Sequence, residues 1–283
     1  MAEQFASSPL LGEGVVRRVL ARATADLAAV SDSPRLDAEL LMAHALGITR
    51  ERLLLGRLDD PVPPAFAALL ARRLQHEPIA YITGTRAFWT IELAVGPGAL
   101  IPRPDSETLI EAAVEHFARR PPATILDLGT GPGTLLLAAL DQWPNATGLG
   151  VDRSGAALAM ARANATRLGS ADRARFAEGD WATGIAGPFD LVLANPPYIG
   201  TVEALPAEVR EYEPAAALYA GTDGLDAYRA IVPDLPRLIA PGGVAILEIG
   251  HAQAEAVGAL VGGLGRTWQL RRDLAGRPRA IVT

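Results

Sequence analysis

Hydrophobic positions in the first part of the chain recur at helical spacing. Between Leu36 and Leu46 they fall on one helical face that stops before Gly47, a residue typical of helix C-caps. After a proline-rich break the spacing returns between Phe66 and Leu74 and ends near Pro78. The pattern predicts a small helical domain over residues 1–80.

Aromatic and β-branched residues replace this pattern from Tyr81 to Ile101, with Gly84 and Gly96 as punctuation. Such a stretch is typical of short strands joined by a turn. We therefore expect a β-hairpin linker over residues 81–104.

Beyond Pro104, apolar runs of strand length alternate with helical patterns. This alternation predicts an α/β domain over residues 105–283, built on a parallel sheet with right-handed crossovers. The predicted strands are Ala123–Leu128, Thr147–Val151, Ala174–Glu178, Asp190–Ala194 and Gly243–Ile249, and the predicted helices are Leu135–Asp141, Ala156–Leu168, Asp226–Ile239 and Ala252–Leu264.

Composition excludes several kinds of chemistry. All 26 Lys+Arg residues are arginine and the 283-residue chain has no cysteine. A Schiff-base or P-loop lysine, a thiol nucleophile, a disulfide and a cysteine zinc site are thereby excluded. The four histidines show no metal-ligand spacing, so no metal is expected.

Charge and hydropathy bear on partners and location. The formal net charge of -6 disfavours extensive nonspecific binding to nucleic acid, which draws on many phosphate contacts. The N-terminal residues lack a signal-peptide pattern, and no apolar run approaches the roughly 18 residues of a membrane span. We expect a cytoplasmic monomer with no membrane partner and no direct nucleic-acid partner.

A glycine-rich turn follows the first predicted strand of the α/β domain. Gly129, Gly131 and Gly133 allow a sharp turn and a close approach of backbone to a ligand. Their spacing departs from the dinucleotide pattern and resembles that of class I S-adenosylmethionine-dependent methyltransferases. The alternative is a tight strand-to-helix turn that binds nothing.

Acidic residues follow the next two strands. Asp152 stands where a carboxylate accepts both ribose hydroxyls of a nucleoside, and its alternative role is a helix N-cap beside Ser154. Asp180 is placed to meet the adenine amino group, and Trp181 to pack beside the base. The alternative for Trp181 is a residue of the core or rim.

The apolar strand before Asn195 ends in Asn-Pro-Pro-Tyr. The Asn195 side-chain oxygen and the Pro196 carbonyl can each accept one N–H of a planar NH2 group, stabilising positive charge during methyl transfer. Pro196 and Pro197 present their carbonyls rigidly, and Tyr198 offers a flat face to the substrate. An ordinary proline turn is the alternative.

Several further segments resemble the HemK/PrmC family, the N5-glutamine methyltransferases that modify the Gly-Gly-Gln motif of peptide-chain release factors. The resemblance covers most of the chain. Besides Asn195–Tyr198, it rests on Tyr81–Gly84, Leu100–Glu107, Val209–Pro214, Asp223–Tyr228, Leu247–Gly250 and Asp273–Arg277.

The resemblance implies a Rossmann-like class I methyltransferase domain, with an N-terminal helical domain that helps dock the release factor and a β-hairpin linker between them. It implies S-adenosyl-L-methionine as cofactor, with Asp152 on its ribose and Trp181 by its adenine. Arg103–Glu107 are expected at the active-site mouth, the alternative being an Arg–Asp surface pair plus a helix cap. The residues implied to line the cofactor are Gly129, Thr130, Gly131, Pro132 and Gly133, with Asn195 beside them, and those implied to receive the glutamine amide are Asn195, Pro196, Pro197 and Tyr198.

Three other functions remain open from the sequence. The same chemistry could act on a glutamine of a large-subunit ribosomal protein, or on the N6 amino group of adenine in DNA, which requires base extrusion. A cofactor-binding scaffold without catalysis is the third, and the intact Asn195–Tyr198 segment disfavours it.

Overall fold

The computed structural model describes residues 15–283, so that residues 1–14 of the predicted helical domain lie outside it. The chain divides into two units. The first, the helical unit, extends to Gly84 and also contains the later segment Leu205–Tyr212. The second, the sheet unit, contains Thr85–Ala204 and Glu213–Thr283.

The helical unit packs its helices around a leucine-rich core. The helix predicted before Gly47 is confirmed, because Gly47 adopts a φ of 64° and its N–H bonds back to the last turn. Leu27, Leu41 and Phe66 are fully buried between the helices. These are α1 (Val16–Leu27), α2 (Pro34–Leu46), α3 (Arg50–Gly56), α4 (Ala65–Arg73) and α5 (Ile79–Thr83).

A buried arginine joins three parts of the helical unit. The Arg73 guanidinium lies 2.7 Å from Asp37 of α2 and 2.8 Å from Glu208, and the side chains of Arg73 and Asp37 are 6% and 7% exposed. Glu208 belongs to a short helix of the later segment, Ala207–Tyr212. Tyr212 donates its hydroxyl hydrogen bond to the Gln75 carbonyl, at 2.7 Å. Charge pairing and hydrogen bonding thus attach Leu205–Tyr212 to Arg73 at the end of α4 and to Gln75 just after it.

The hairpin is formed by β1 (Thr85–Phe88) and β2 (Ile91–Ala94), which pair antiparallel. The expectation of strand-like structure from Tyr81 is wrong, since Ile79–Thr83 is helical. Pro78 precedes that helix and Gly84 ends it in the left-handed region, so local capping outweighs the β-branched composition. Asn164, which is fully buried, accepts from the Ala94 N–H and donates to the carbonyls of Ala94 and Pro132.

The sheet unit is built on seven strands in the order β5-β4-β3-β6-β7-β9-β8. The five strands from β5 to β7 are parallel, and the order reverses between β3 and β6. Ligands bind beyond the carboxyl ends of the strands at such a switch point. The strands are β3 (Thr124–Leu128), β4 (Thr147–Asp152), β5 (Ala174–Glu178), β6 (Phe189–Ala194), β7 (Ile239–Glu248), β8 (Gln269–Arg272) and β9 (Pro278–Val282).

Helices cover this sheet, and two prolines interrupt one of them. The single helix predicted over Asp226–Ile239 is wrong: Pro233 and Pro236 lack an N–H, and a 3₁₀ turn separates two short helices there. In chain order after α5, the helices of the chain are α6 (Glu107–His116), α7 (Thr134–Gln142), α8 (Gly155–Arg167), α9 (Ala207–Tyr212), α10 (Asp226–Ile231), α11 (Leu235–Leu238) and α12 (Ala254–Gly262). Of these, α9 belongs to the helical unit.

The expectation of a wholly parallel sheet is wrong at one edge. β9 pairs antiparallel with both β7 and β8. The turn between β8 and β9 is held by Asp273, whose Oδ1 accepts from the N–H groups of Ala275 and Arg277. A connection this short joins only antiparallel strands. Within residues 15–283, no helix is both long and apolar enough to cross a bilayer.

Candidate active site

Three left-handed glycines shape the turn between β3 and α7. Gly129, Gly131 and Gly133 have φ of 73°, 57° and 89°, a region that residues with a Cβ rarely adopt. A Cβ on Gly129 would lie 3.1 Å from the Trp181 ring. A Cβ on Gly131 would meet no protein atom within 4 Å, so bare backbone borders open space at that point.

A cavity of about 340 Å³ lies against this turn, within the size range of small-molecule sites. A smaller cavity of about 40 Å³ shares Gly129, Gly131 and Asn195 with the large one. Of the predicted site residues, the large cavity is lined by Gly129, Gly131, Asp152, Asp180, Trp181, Asn195 and Pro197.

The remaining predicted residues lie differently. Thr130 and Pro132 line only the small cavity. Gly133 lines neither cavity and packs instead against Leu137, where a Cβ would come within 2.8 Å. Pro196 and Tyr198 also line neither, and their roles toward a substrate stay predictions.

Asp152 fastens the end of β4 to the glycine turn. Its Oδ2 accepts the Gly131 N–H at 2.9 Å and its Oδ1 accepts the Ser154 N–H at 2.8 Å. The cap of α8 is Ser154, whose hydroxyl oxygen accepts the Ala157 N–H. The carboxylate is therefore fixed in orientation at the cavity wall, and each oxygen retains a second lone pair for a ligand.

Trp181 lies beside the glycine turn in a strained conformation. Its φ is 48°, uncommon for a bulky residue, and such strain concentrates at functional sites. Arg237 donates to the carbonyls of Ala182 and Ile185, which holds the loop after Trp181 in place. The ring is thus set against Gly129 and at the cavity wall.

The buried carboxyl group of Asp127 stabilises the glycine-rich turn after β3. Asp127 Oδ2 accepts from the Thr130 hydroxyl at 2.6 Å and from the Leu136 N–H at 3.2 Å, while Oδ1 is buried without a hydrogen-bond partner. Burial raises the pKa of Asp127 to about 7, the two hydrogen bonds oppose the shift, and the nearby Asp152 charge adds to it.

Asn195 follows β6 and lines both cavities. Its Nδ2 donates to the Ser106 hydroxyl oxygen at 3.1 Å. The donor end of the amide is therefore engaged within the protein, and Oδ1 is the acceptor that it offers to a ligand.

Tyr198 holds the segment after Asn195. Its carbonyl accepts from Gln253 Nε2 at 2.9 Å, and its ring packs against the core of the sheet unit. Burial raises the pKa of Tyr198 to about 12, so the hydroxyl stays protonated.

Residues 103–107 make separate contacts within the sheet unit. Arg103 pairs with the buried Glu213, Asp105 pairs with Arg279 at 2.8 Å, and Glu107 accepts the Trp89 N–H. The alternative of an Arg103–Asp105 surface pair is therefore wrong, and the Ser106 side chain does not cap α6. Ser106 instead contacts Asn195.

Sequence reasoning missed one stretch of the lining of the large cavity. Apart from Tyr219, this stretch consists of small residues between Pro214 and Gly221, and Arg153 donates to the Ala216 carbonyl at 3.2 Å. Alanine and glycine carry no chemical signal of their own. Their position between Val209–Pro214 and Asp223–Tyr228, two segments of the family resemblance, was the available clue.

Family models match both parts of the chain. Residues 18–84 match the model described as "PrmC N-terminal domain", and residues 120–259 match "Methyltransferase domain". Among solved structures, a methyltransferase from Pyrococcus furiosus is similar with a TM-score of 0.53 and 19% identity, over 75% of this chain and 94% of that one. The likeness to the Pyrococcus furiosus structure shows the fold alone.

Curated relatives carry one name. The chain is 46% identical to the release factor glutamine methyltransferase of Cereibacter sphaeroides, over 90% of this chain and 92% of that protein. It is 45% identical to the one of Rhodospirillum rubrum, over 89% and 79%. It is 40% identical to that of Bradyrhizobium diazoefficiens, over 97% and 96%.

Proposed function

The chain belongs to the release factor glutamine methyltransferase family, and we propose that it methylates the side-chain amide nitrogen, N5, of the glutamine in the Gly-Gly-Gln motif of peptide-chain release factors. S-adenosyl-L-methionine is the methyl donor. The observation that carries the proposal is Asn195, which stands at the switch point of the sheet and lines both cavities. One amide thus borders a cofactor-sized space and a smaller adjoining one.

The chemistry explains what Asn195 and Pro196 do. A glutamine amide nitrogen is a poor nucleophile because its lone pair is delocalised into the carbonyl. Asn195 Oδ1 and the Pro196 carbonyl each accept one N–H of that amide, which stabilises positive charge as it grows on nitrogen. Pro196 has a fixed φ, so its carbonyl is held in place at little entropic cost.

The cofactor fits the residues around the large cavity. Gly129 and Gly131 bring backbone to its edge, the Asp152 carboxylate accepts from ribose hydroxyls, and Asp180 and Trp181 meet the adenine. Thr130, Pro132 and Gly133 support the shape of the turn. When bound, S-adenosyl-L-methionine supplies an electrophilic methyl group on its sulfonium sulfur.

We assign substrate docking to the helical domain over residues 1–80, joined by the hairpin over 81–104 to a transferring domain over 105–283. The helical region matches a family model of its own. The segment Leu205–Tyr212 follows the Asn195 loop in the chain and groups with the helical unit. We further propose that the protein acts as a monomer in the cytoplasm, without a nucleic-acid or membrane partner.

Label transfer tests the proposal. The protein is incubated with methyl-labelled S-adenosyl-L-methionine and, separately, with release factor, ribosomal proteins and DNA, and the label is mapped by peptide mass spectrometry. We expect label on the Gly-Gly-Gln glutamine. Label on a ribosomal-protein glutamine or on DNA alone contradicts the proposed substrate, and absence of label despite cofactor binding contradicts catalysis.

A further inference from the structure

A buried serine contacts the side chain to which we assign the substrate amide. Ser106 lies in a short 3₁₀ turn, Pro104–Ser106, and is 2% exposed. Its hydroxyl oxygen accepts a hydrogen bond from Asn195 Nδ2 at 3.1 Å. The contact lies on the donor end of the Asn195 amide.

The orientation of that amide decides whether it can receive a substrate NH2 group. With Nδ2 on Ser106, Asn195 presents an acceptor. Rotated by a half-turn, it would present its own NH2 to the NH2 of the substrate, and two donors do not bond. A serine hydroxyl both donates and accepts, so Ser106 alone would tolerate either orientation.

Glu248 removes this ambiguity. β6 and β7 are parallel and pair Ala194 with Leu247, which places Asn195 and Glu248 next to each other at the end of the sheet. A hydrogen bond from the Ser106 hydroxyl is among the influences that lower the pKa of the Glu248 carboxyl group. An ionised carboxylate only accepts, so with Glu248 ionised the serine proton goes to Glu248 and a serine lone pair faces Asn195.

The surroundings of Glu248 bear on its charge. The residue is 1% exposed, one of its oxygens, Oε2, is buried without a hydrogen-bond partner, and burial raises its pKa to about 7. Ser106 and the positive charges of Arg279 and Arg103 favour the ionised form, and Asp105 opposes it. The neutral hydroxyls of Tyr198 and Tyr228 complete the set of titratable groups around it.

We infer that Ser106 is a positioning residue that holds the Asn195 amide with its oxygen toward the substrate, and that Glu248 fixes the direction of the Ser106 hydroxyl. The inference rests on the proposed function of Asn195. Neither residue touches the reacting atoms. Both act on turnover through the orientation of one side chain.

Four variants test the positioning roles of Ser106 and Glu248: Ser106→Ala, Ser106→Thr, Glu248→Gln and the double variant Ser106→Ala/Glu248→Gln. For each, kcat and KM with release factor are measured, with cofactor affinity by calorimetry and thermal unfolding alongside. The control is Ser170→Ala, which removes another buried hydroxyl, bonded to the Ala165 carbonyl.

We expect Ser106→Ala and Glu248→Gln each to lower kcat by about 10- to 100-fold, the scale of small misplacements in active sites, with cofactor affinity within about twofold of wild type. Ser106→Thr keeps the hydroxyl and retains most of kcat. Because the two residues act as one unit, the double variant is no slower than the slower single variant.

Three results overturn the inference: wild-type kcat in Ser106→Ala, multiplied losses in the double variant, or losses that appear equally in Ser170→Ala. Glutamine labelling by the wild-type enzyme is checked first. If the wild-type enzyme failed to label the glutamine, the proposed function would be contradicted. If the wild type labelled normally and Ser106→Ala were unaffected, only the positioning role of Ser106 would be contradicted.

Discussion

Asp127 makes the stability of the protein depend on pH. Its folded pKa, raised to about 7 chiefly by burial, lies above the value of about 4 for an unfolded aspartate. Such a group contributes stability that is complete below about pH 4 and is lost as the pH rises through 7. Asp127→Asn keeps an oxygen for Thr130 and Leu136 and does not ionise.

We therefore expect the unfolding free energy of the wild type to fall relative to Asp127→Asn by about 3 kcal/mol between pH 5 and pH 8. Chemical denaturation of the cofactor-free proteins at several pH values measures this difference. The exposed Asp172→Asn is the control and should track the wild type. If the unfolding free energies of wild type and Asp127→Asn changed in parallel with pH, burial would not raise the pKa of Asp127 and the account would be contradicted.

Asp152 is assigned to the cofactor ribose and also accepts the Gly131 N–H. A single substitution of Asp152 would change both interactions at once. Cofactor analogues separate them. S-adenosylhomocysteine and its counterpart without ribose hydroxyls should differ in affinity for the wild type by about tenfold or more, from hydrogen bonds to a charged acceptor. In Asp152→Ala that difference should vanish. Calorimetry that finds the same discrimination in both proteins would contradict the ribose role.

At the level of elements, the helical unit depends on the buried ion pair of α4 with α2. Removing Arg73 leaves Asp37 buried and unpaired, which costs about 3 kcal/mol. We expect Arg73→Met to lower the unfolding free energy by that amount in urea denaturation. Arg17→Met removes an exposed pair with Asp59 and should cost less than 1 kcal/mol. Equal effects of the two substitutions would contradict this account.

The sequence predicted the central elements well because their signals are local. The strands before Gly129 and Asn195 are apolar runs flanked by turn residues, and the structure has them within one residue of the prediction. The strands β8 and β9 were missed, since they are only four and five residues long and β8 contains Arg271 and Arg272. Pro233 indicates a helix break in the sequence, but the helical spacing of the residues around it predicts one continuous helix.

The sequence predicts the polar residues of the candidate site that stand at the ends of parallel strands. Asp152 ends β4 and Asn195 follows β6, and both line the large cavity in the structure. The pairing of Asp105 with Arg279 joins residues 174 positions apart, and no local pattern indicates such a partner. The same limit applies to Ser106, whose neighbour Asn195 is 89 positions away.

At the scale of the whole molecule, the chain passes between the two units at both ends of Leu205–Tyr212. It leaves the sheet unit after Ala204 and returns at Glu213, which pairs with Arg103. Between them, Glu208 and Tyr212 attach the segment to the helical unit. Changes in this attachment should reach the Asn195 loop through the backbone and alter use of the protein substrate.

We expect Glu208→Gln/Tyr212→Phe to raise KM for release factor by about 3- to 10-fold, since roughly 1 kcal/mol of positioning is lost, while cofactor affinity stays unchanged. Steady-state kinetics and calorimetry measure the two effects. Arg210→Gln, an exposed change on the same helix, serves as the control. An unchanged KM in the double variant would show that this attachment plays no part in substrate use.

The division of the site between cofactor and substrate is the central claim, and Asn195→Ala tests it most directly. The measurement is methyl transfer to release factor at saturating cofactor, paired with cofactor affinity by calorimetry on the same preparation. We predict that transfer falls by at least about 100-fold while affinity changes little, because only the substrate nitrogen uses Asn195 Oδ1. Cofactor affinity that collapses together with transfer, or transfer that persists, would contradict the account.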